Sequence, residues 1–231
     1  MPRERIRAEI ENIGPDDQFS FNCHPQVPCF TDCCRNLELA LSPYDVLRLG
    51  NALALAPEAF LDRFAVVAMI PEEPLPQVML AMNEEAGGRC PFVSDEGCRV
   101  YQDRPAACRN YPLGRGISAK AEGEIRERFV LLHEGHCRGF FEKAVHTPKG
   151  YLKNQGLAPY HRAAEMILSL RDRALARPGK LNDEEITRCL HTLYLGHGSD
   201  EEKPLKAGGE EMLNLLKTRV ERVVNEIFSN G

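Results

Sequence analysis

The 231-residue sequence predicts an α+β fold, mostly α, with an irregular cysteine-rich core and short strands, packed with helices and followed by a C-terminal helical bundle. Three observations predict it. Eight of the nine cysteines lie between positions 23 and 137, in stretches with no sustained helical or strand periodicity. Short apolar runs bounded by proline or glycine read as brief strands, such as 77–82 (QVMLAM) after Pro71, Pro74 and Pro76. Beyond His146, apolar residues recur at helical spacing. The division expected from this texture is a cysteine-cluster region at 1–145 and a helical region at 146–231.

Residues 1–41 read as irregular and carry the first cluster, 21–34 (FNCHPQVPCFTDCC). Ser42 then caps a helix with Pro43 at its first position, and Val46, Leu49 and Leu53 form its apolar stripe. Pro57 and Glu58 restart a short helix that buries Phe60, Leu61 and Phe64. From 87 to 138 the pattern is loops with brief strands at 98–101 and 128–132. A helix at 161–176 aligns Ala163, Ile167, Leu170 and Ala174, and Pro178-Gly179 ends it. Asp183 is the expected cap of the next helix, with Ile186, Cys189, Leu190, Leu193 and Tyr194 in register and Gly196 as its stop. The last helix, 210–228, lines up Leu213, Leu216, Val220, Val223 and Ile227. Such a bundle is expected to cover the cysteine-rich region or to carry a protein partner or homo-oligomer contact.

Bulk properties narrow the function. A net charge of −5 disfavours nucleic acid as a partner, because neutralising phosphates needs a basic face. Without Trp, and with 7% aromatics, no stacking platform for single strands is evident. No stretch reaches the ~18 apolar residues of a membrane helix, so no membrane association is expected. The N-terminus MPRERIRAEIENIG is charged and has no apolar core of signal-peptide length. The expected location is therefore cytoplasmic, where thiols stay reduced. An odd number of cysteines, in a chain long enough to bury a core, also disfavours a disulfide scaffold. Thiols this dense then point to a metal ion or an iron–sulfur cluster.

The candidate metal ligands are Cys23, Cys29, Cys33, Cys34, Cys90, Cys98, Cys108 and Cys137. Thiolates suit zinc and iron, and a tetrahedral ion takes four. Eight would complete two four-thiolate sites, or one cluster plus spares. The spacings are C-x5-C-x3-C-C, then C-x7-C-x9-C, with Cys137 after 28 more residues. Neither the C-x2-C knuckle of zinc ribbons nor the ferredoxin run is present. Cys33 and Cys34 are adjacent, and neighbouring side chains diverge, so the pair suits two irons of one cluster or two separate ions better than one ion. Cys189 falls on an apolar helix stripe and is expected in the core.

Arg35, Arg89, Arg99, Arg109 and Arg138 each adjoin a clustered cysteine, an expected source of positive charge beside thiolates. Residues 104–112 (RPAACRNYP) form a proline-bounded corner that presents Cys108, with Tyr111 and Arg109 as donors towards sulfur. His24 and His136 flank cysteines and are alternative ligands. The run His133-Glu134-Gly135-His136 is not the HExxH zinc-protease motif, because its histidines are three apart.

The CC-containing cluster, the LSPYDVLRL helix after it and the C-P-F…G-C-R-V-Y…R-P…C-R-x-Y-P block resemble the YkgJ-type cysteine-cluster family over residues 19–140. That family has a CxxCxxCC-like signature and is described as zinc- or iron-chelating. This chain departs from it in the first cluster, where the gaps are five and three residues instead of two and two. The resemblance implies metal binding with a structural, electron-transfer or metal-handling role. The family also includes bacterial flagellin lysine N-methylases, so the alternative it implies is a protein lysine N-methylase-like enzyme. A nucleoside cradle of the Rossmann type needs a glycine-rich turn between strand and helix. The nearest sequences, Gly114-Arg115-Gly116 and Gly196-His197-Gly198, lie in no such unit, and no catalytic residue is assigned.

Overall fold

A computed structural model describes residues 8–71, 73–119, 124–196 and 207–228. In chain order it contains β1 (Glu9–Ile13), β2 (Phe19–Ser20), β3 (Ala40–Leu41), α1 (Pro43–Leu53), α2 (Pro57–Phe64), β4 (Ala65–Ala68) and β5 (Gln77–Leu80). Then follow β6 (Val93–Ser94), β7 (Gly97–Cys98), α3 (Ala106–Asn110), β8 (Leu113–Ala119), β9 (Ile125–His133) and β10 (Val145–His146). The chain closes with α4 (Pro148–Asn154), α5 (Ala158–Ala176), α6 (Asp183–Leu190) and α7 (Gly209–Val223). The fold is α+β with helix predominant, as expected. Two compact units interleave along the chain. Unit 1 comprises Met1–Leu37, Met82–Tyr101 and Ala106–Leu157; unit 2 comprises Glu38–Ala81, Gln102–Pro105 and Ala158–Gly231.

Unit 1 contains all eight clustered cysteines. Its frame is an antiparallel sheet in the order β1-β9-β8, with Ile13 opposite Phe129 and Leu113 opposite Leu131. Alternation along β9 turns Phe129 and Leu131 inward beside the buried Leu113, with the half-buried Val130 between them. The strand expected at 128–132 therefore runs longer, and β8 and β1 on either side were not foreseen. Most of β1 is exposed on both faces, so its strand state comes from pairing with β9, 120 residues away in sequence, and not from an apolar pattern.

An aromatic cluster sits beside this sheet. Phe21 meets Tyr111, Phe140 and Tyr151 edge-on, and the Tyr151 hydroxyl donates to the Tyr111 carbonyl at 2.7 Å. A Cβ at Gly139 would stand 2.6 Å from the Phe21 ring and 2.8 Å from the Asn22 carbonyl, so only glycine fits there. The strand expected at 98–101 is cut to Gly97–Cys98, because its partner β6 is only Val93–Ser94. A 3₁₀ turn at Tyr101–Asp103 follows.

Unit 2 carries the helices. At α1, Ser42 and Asp45 form a reciprocal capping box, with Asp45 N–H on Ser42 Oγ at 3.1 Å and Ser42 N–H on Asp45 Oδ2 at 2.8 Å. Tyr44, Val46, Leu49, Phe60, Leu170 and Leu216 are completely buried. Tyr44 meets Tyr160 edge-on at 5.0 Å. At α6 the cap is Asn182 and not Asp183: Asn182 Oδ1 accepts from Glu185 N–H at 2.9 Å, and Glu185 returns the bond to Asn182 N–H. Asp183 then lies in the first turn, where its charge suits the helix dipole. Cys189 is 2% exposed, buried as its stripe position predicts. A wide π-type turn at His191–Leu195 ends at Gly196, and the buried Arg219 donates to the carbonyls of Leu193, Tyr194 and Leu195. No helix among the described residues is long and apolar enough to cross a membrane.

Candidate metal centre

The first cysteine cluster is a series of turns. Val27 N–H bonds to His24 O, Phe30 N–H to Val27 O, Asp32 N–H to Cys29 O, and Cys34 N–H to Thr31 O, all at 2.9–3.0 Å. Pro25 and Pro28 prevent these from merging into one helix, and the chain curls. Cys23, Cys29 and Cys33 come to line a single small cavity with Phe21, Val27, His136, Cys137 and Gly139. Its free space for the centre of a water-sized sphere is ≈ 10 Å³, enough for about one such particle. Cys137 arrives from the turn after β9, over 100 residues away, where its N–H bonds to Glu134 O at 2.8 Å. The next residue joins the two segments, since Arg138 N–H donates to Cys29 Sγ at 3.1 Å.

Two polar atoms at this cavity lack ordinary hydrogen bonds. His136 Nε2 is buried with no hydrogen bond, and Glu134 Oε2, 3.8 Å away, is too far to supply one. The Tyr111 hydroxyl is buried beside the Cys137 sulfur and the Glu134 carboxylate, without a well-formed hydrogen bond. Burial, with those two neighbours, holds its proton well above the ordinary phenol range. The Cys33 thiol is pushed far up by its hydrogen bond to Cys34, then by burial and by the charges of Cys34 and Glu134. Burial also raises Cys137, against a hydrogen bond from Tyr111 and the Gly139 N–H, which lower it. Without a cation, such thiols keep their protons at neutral pH.

A second group forms alongside. Arg35 and Arg89 are bridged antiparallel, with Cys90 N–H on Cys34 O at 2.9 Å and Asn36 N–H on Gly88 O at 2.7 Å. That register sets Cys34 opposite Cys90. Cys90 also shares the electrostatic environment of Cys98; burial raises its thiol, while the N–H groups of Phe92 and Val93 and the Arg99 charge lower it. Cys108 is half-buried in α3. His24 is turned away from the ligand role: Nδ1 bonds Gln26 Oε1 at 2.8 Å and Nε2 lies 3.3 Å from Glu142.

Residues 22–138, just over half of the chain, match a family model described as "CxxCxxCC: Putative zinc- or iron-chelating domain". The chain belongs to this family. No curated protein and no solved structure matches it significantly. The matched span contains all eight clustered cysteines.

The donor set fits the metals of that chelating family. Four thiols and an imidazole nitrogen with no other partner are the ligands that zinc and iron prefer. Among the described residues no three His, Cys, Asp or Glu side chains already stand in an ion-holding arrangement, so binding requires the sulfurs to turn inward. The arginines beside the cysteines mostly fasten loops: Arg35 to Ala86 O, Arg89 to Asp95, and Arg109 to Gln155 O at 2.8 Å. Arg99 does both, donating to Pro91 O while its charge lowers Cys90. Backbone N–H groups on sulfur supply the remaining stabilisation, a role no residue-type signal reveals. Tyr111 was legible in the sequence as a donor. Glu134 was not, and its placement three residues before Cys137 in one tight turn is the signal that would have found it. Gly114-Arg115-Gly116 lies within β8, paired with β9, and forms no nucleotide cradle; His197 and Gly198 of the second glycine pair lie outside the described residues.

Proposed function

We propose that this protein binds zinc or an iron–sulfur cluster through Cys23, Cys29, Cys33, Cys34, Cys90, Cys98, Cys108 and Cys137, in a structural, electron-transfer or metal-handling role. The observation that carries the reading is the meeting of Cys23, Cys29, Cys33 and Cys137 on one ion-sized cavity with an unpartnered His136 nitrogen. Four thiolates gathered on one small cavity would repel one another, a cost that a bound cation offsets. A centre saturated with thiolates has no open position for substrate or activated water, which favours a structural or electron-carrying use over hydrolytic catalysis. The chemistry needs a reducing compartment, as the cytoplasm provides, and the C-terminal helices are the proposed surface for a protein partner or second copy.

Oxygen-free purification followed by elemental analysis and a visible spectrum tests this. A brown protein with a broad band near ~400 nm identifies iron–sulfur, whereas a colourless, zinc-loaded protein identifies zinc, which is d¹⁰. A chain that holds no metal as isolated, and takes up neither zinc nor iron on anaerobic reconstitution, sinks the proposal.

A further inference from the structure

We propose that seven of the eight clustered cysteines serve two adjoining metal centres divided at the Cys33–Cys34 peptide bond, one held by Cys23, Cys29, Cys33 and Cys137, the other by Cys34, Cys90 and Cys98, with Cys108 not assigned between them. This rests on the metal-binding reading above and specifies how that site is partitioned. Of the two adjacent cysteines, Cys33 lines the cavity shared with Cys23, Cys29 and Cys137, and Cys34 does not. The backbone at Cys34 is instead tied to the Cys90 segment. The antiparallel bridge between Arg35 and Arg89 makes Cys34 and Cys90 the next facing pair, with a Cys90 N–H to Cys34 O bond between them. Side chains of facing residues project on the same side of a ladder, with Cβ atoms ~5 Å apart. Arg35 and Arg89 point to the opposite side.

Cys98 joins this second set through the short β6–β7 hairpin. Val93 faces Cys98 in that hairpin, Val93 N–H bonds to Cys90 O at 3.2 Å, and Arg99 N–H bonds to Phe92 O at 2.8 Å. The hairpin therefore folds Cys98 back towards Cys90. The N–H groups of Phe92 and Val93 lie near enough to the Cys90 sulfur to favour its thiolate form. The two sets adjoin because the Cys33 and Cys34 thiols hydrogen-bond to each other.

The test uses the reduced, metal-free full chain, anaerobic titration with Co²⁺ alone, and iodoacetamide footprinting of each cysteine by mass spectrometry. Two equivalents of cobalt are expected. Relative to the metal-free chain, Cys23, Cys29, Cys33 and Cys137 gain protection as one set, and Cys34, Cys90 and Cys98 as another. Cys98→Ser should halve the stoichiometry and keep the first set protected; Cys137→Ser should halve it and keep the second. The wild-type footprint decides the matter even if a variant fails to fold. One equivalent protecting all seven thiols together, or protection in mixed sets, overturns the partition and leaves metal binding standing. Absence of any cobalt uptake by the wild-type chain overturns both.

Discussion

In unit 2, Tyr44, Val46, Leu49, Phe60, Leu170 and Leu216 are fully buried, and α1 and α6 begin at side-chain caps. In unit 1, the stretch from Cys23 to Cys34 buries one residue, Val27, and holds its turns with single backbone hydrogen bonds. Unit 1 has an apolar centre of its own in Phe19, Phe21, Leu113, Phe129, Leu131 and Tyr151, which meets the first cysteine loop through Phe21. Apolar burial at roughly 25 cal/mol per Å² is enough to order the helices of unit 2. The first cysteine loop buries less, so a metal held by its proposed ligands is expected to add to its order. The difference teaches that metal occupancy and helical stability should respond to different perturbations.

Metal removal is the largest test. A strong chelator under reducing conditions should loosen 23–34 and 134–138 and leave the unit 2 helices in place, since structural zinc contributes on the order of 10 kcal/mol to small domains. Limited proteolysis should then cut in those loops, while far-UV circular dichroism retains most of its helical signal. Equal protease resistance in metal-free and metal-loaded protein would remove the contrast between the units.

Leu216→Ala addresses the other side. Leu216 is completely buried in α7, and its truncation should cost about 2–5 kcal/mol in denaturant unfolding. Metal content per folded chain should not change. A parallel loss of metal would show that the units do not respond separately.

Arg219→Met should cost less, about 2–3 kcal/mol, because it leaves the carbonyls of Leu193, Tyr194 and Leu195 without their charged donor. The π-type turn at His191–Leu195 should then exchange its amide hydrogens faster. Unchanged exchange there would mean that the turn does not depend on this guanidinium.

The smallest effect at neutral pH belongs to Cys189. Burial pushes its thiol from 9.0 up to about 12, and burial moves the Tyr194 hydroxyl in the same direction. A thiol that keeps its proton longer in the folded state than in the unfolded one contributes full stability below pH 9. That contribution fades as pH rises from 9 towards 12, because the unfolded chain ionises first. Cys189→Ala should flatten this slope, cost about 1 kcal/mol at pH 7 and leave metal stoichiometry intact. Lost metal in this variant would move Cys189 from the core to the ligands.

Much of unit 2 was legible because its signals are local. Ser42 with Asp45, Pro43 and Pro57 at first helical positions, and the stripes through Leu170, Cys189 and Leu216 each act within a few residues. The one cap misread, Asp183 for Asn182, is an error of one position between two residues that both cap well. Unit 1 was harder to read because its elements depend on distant partners. β1 shows no strand pattern and exists through β9, and the expected strand at 98–101 stops where its short partner ends.

The sequence by itself pointed to the chemistry. The cysteine count, their confinement to positions 23–137 and the proline-broken loops around them point to metal binding before any coordinate is known, because ligand preference is a property of residue type. It also determined the helices, whose hydrogen bonds and apolar stripes close within one element. Only the tertiary structure decided which cysteines meet. Arg138, next to Cys137, reaches Cys29 from more than 100 residues away, Cys34 faces Cys90 across a ladder, and His136 lines the cavity while His24 spends both of its nitrogens elsewhere. Spacing along a chain fixes distance only across a few residues. Beyond that, position in space is set by long-range pairing and packing, which join segments that carry no local mark of each other.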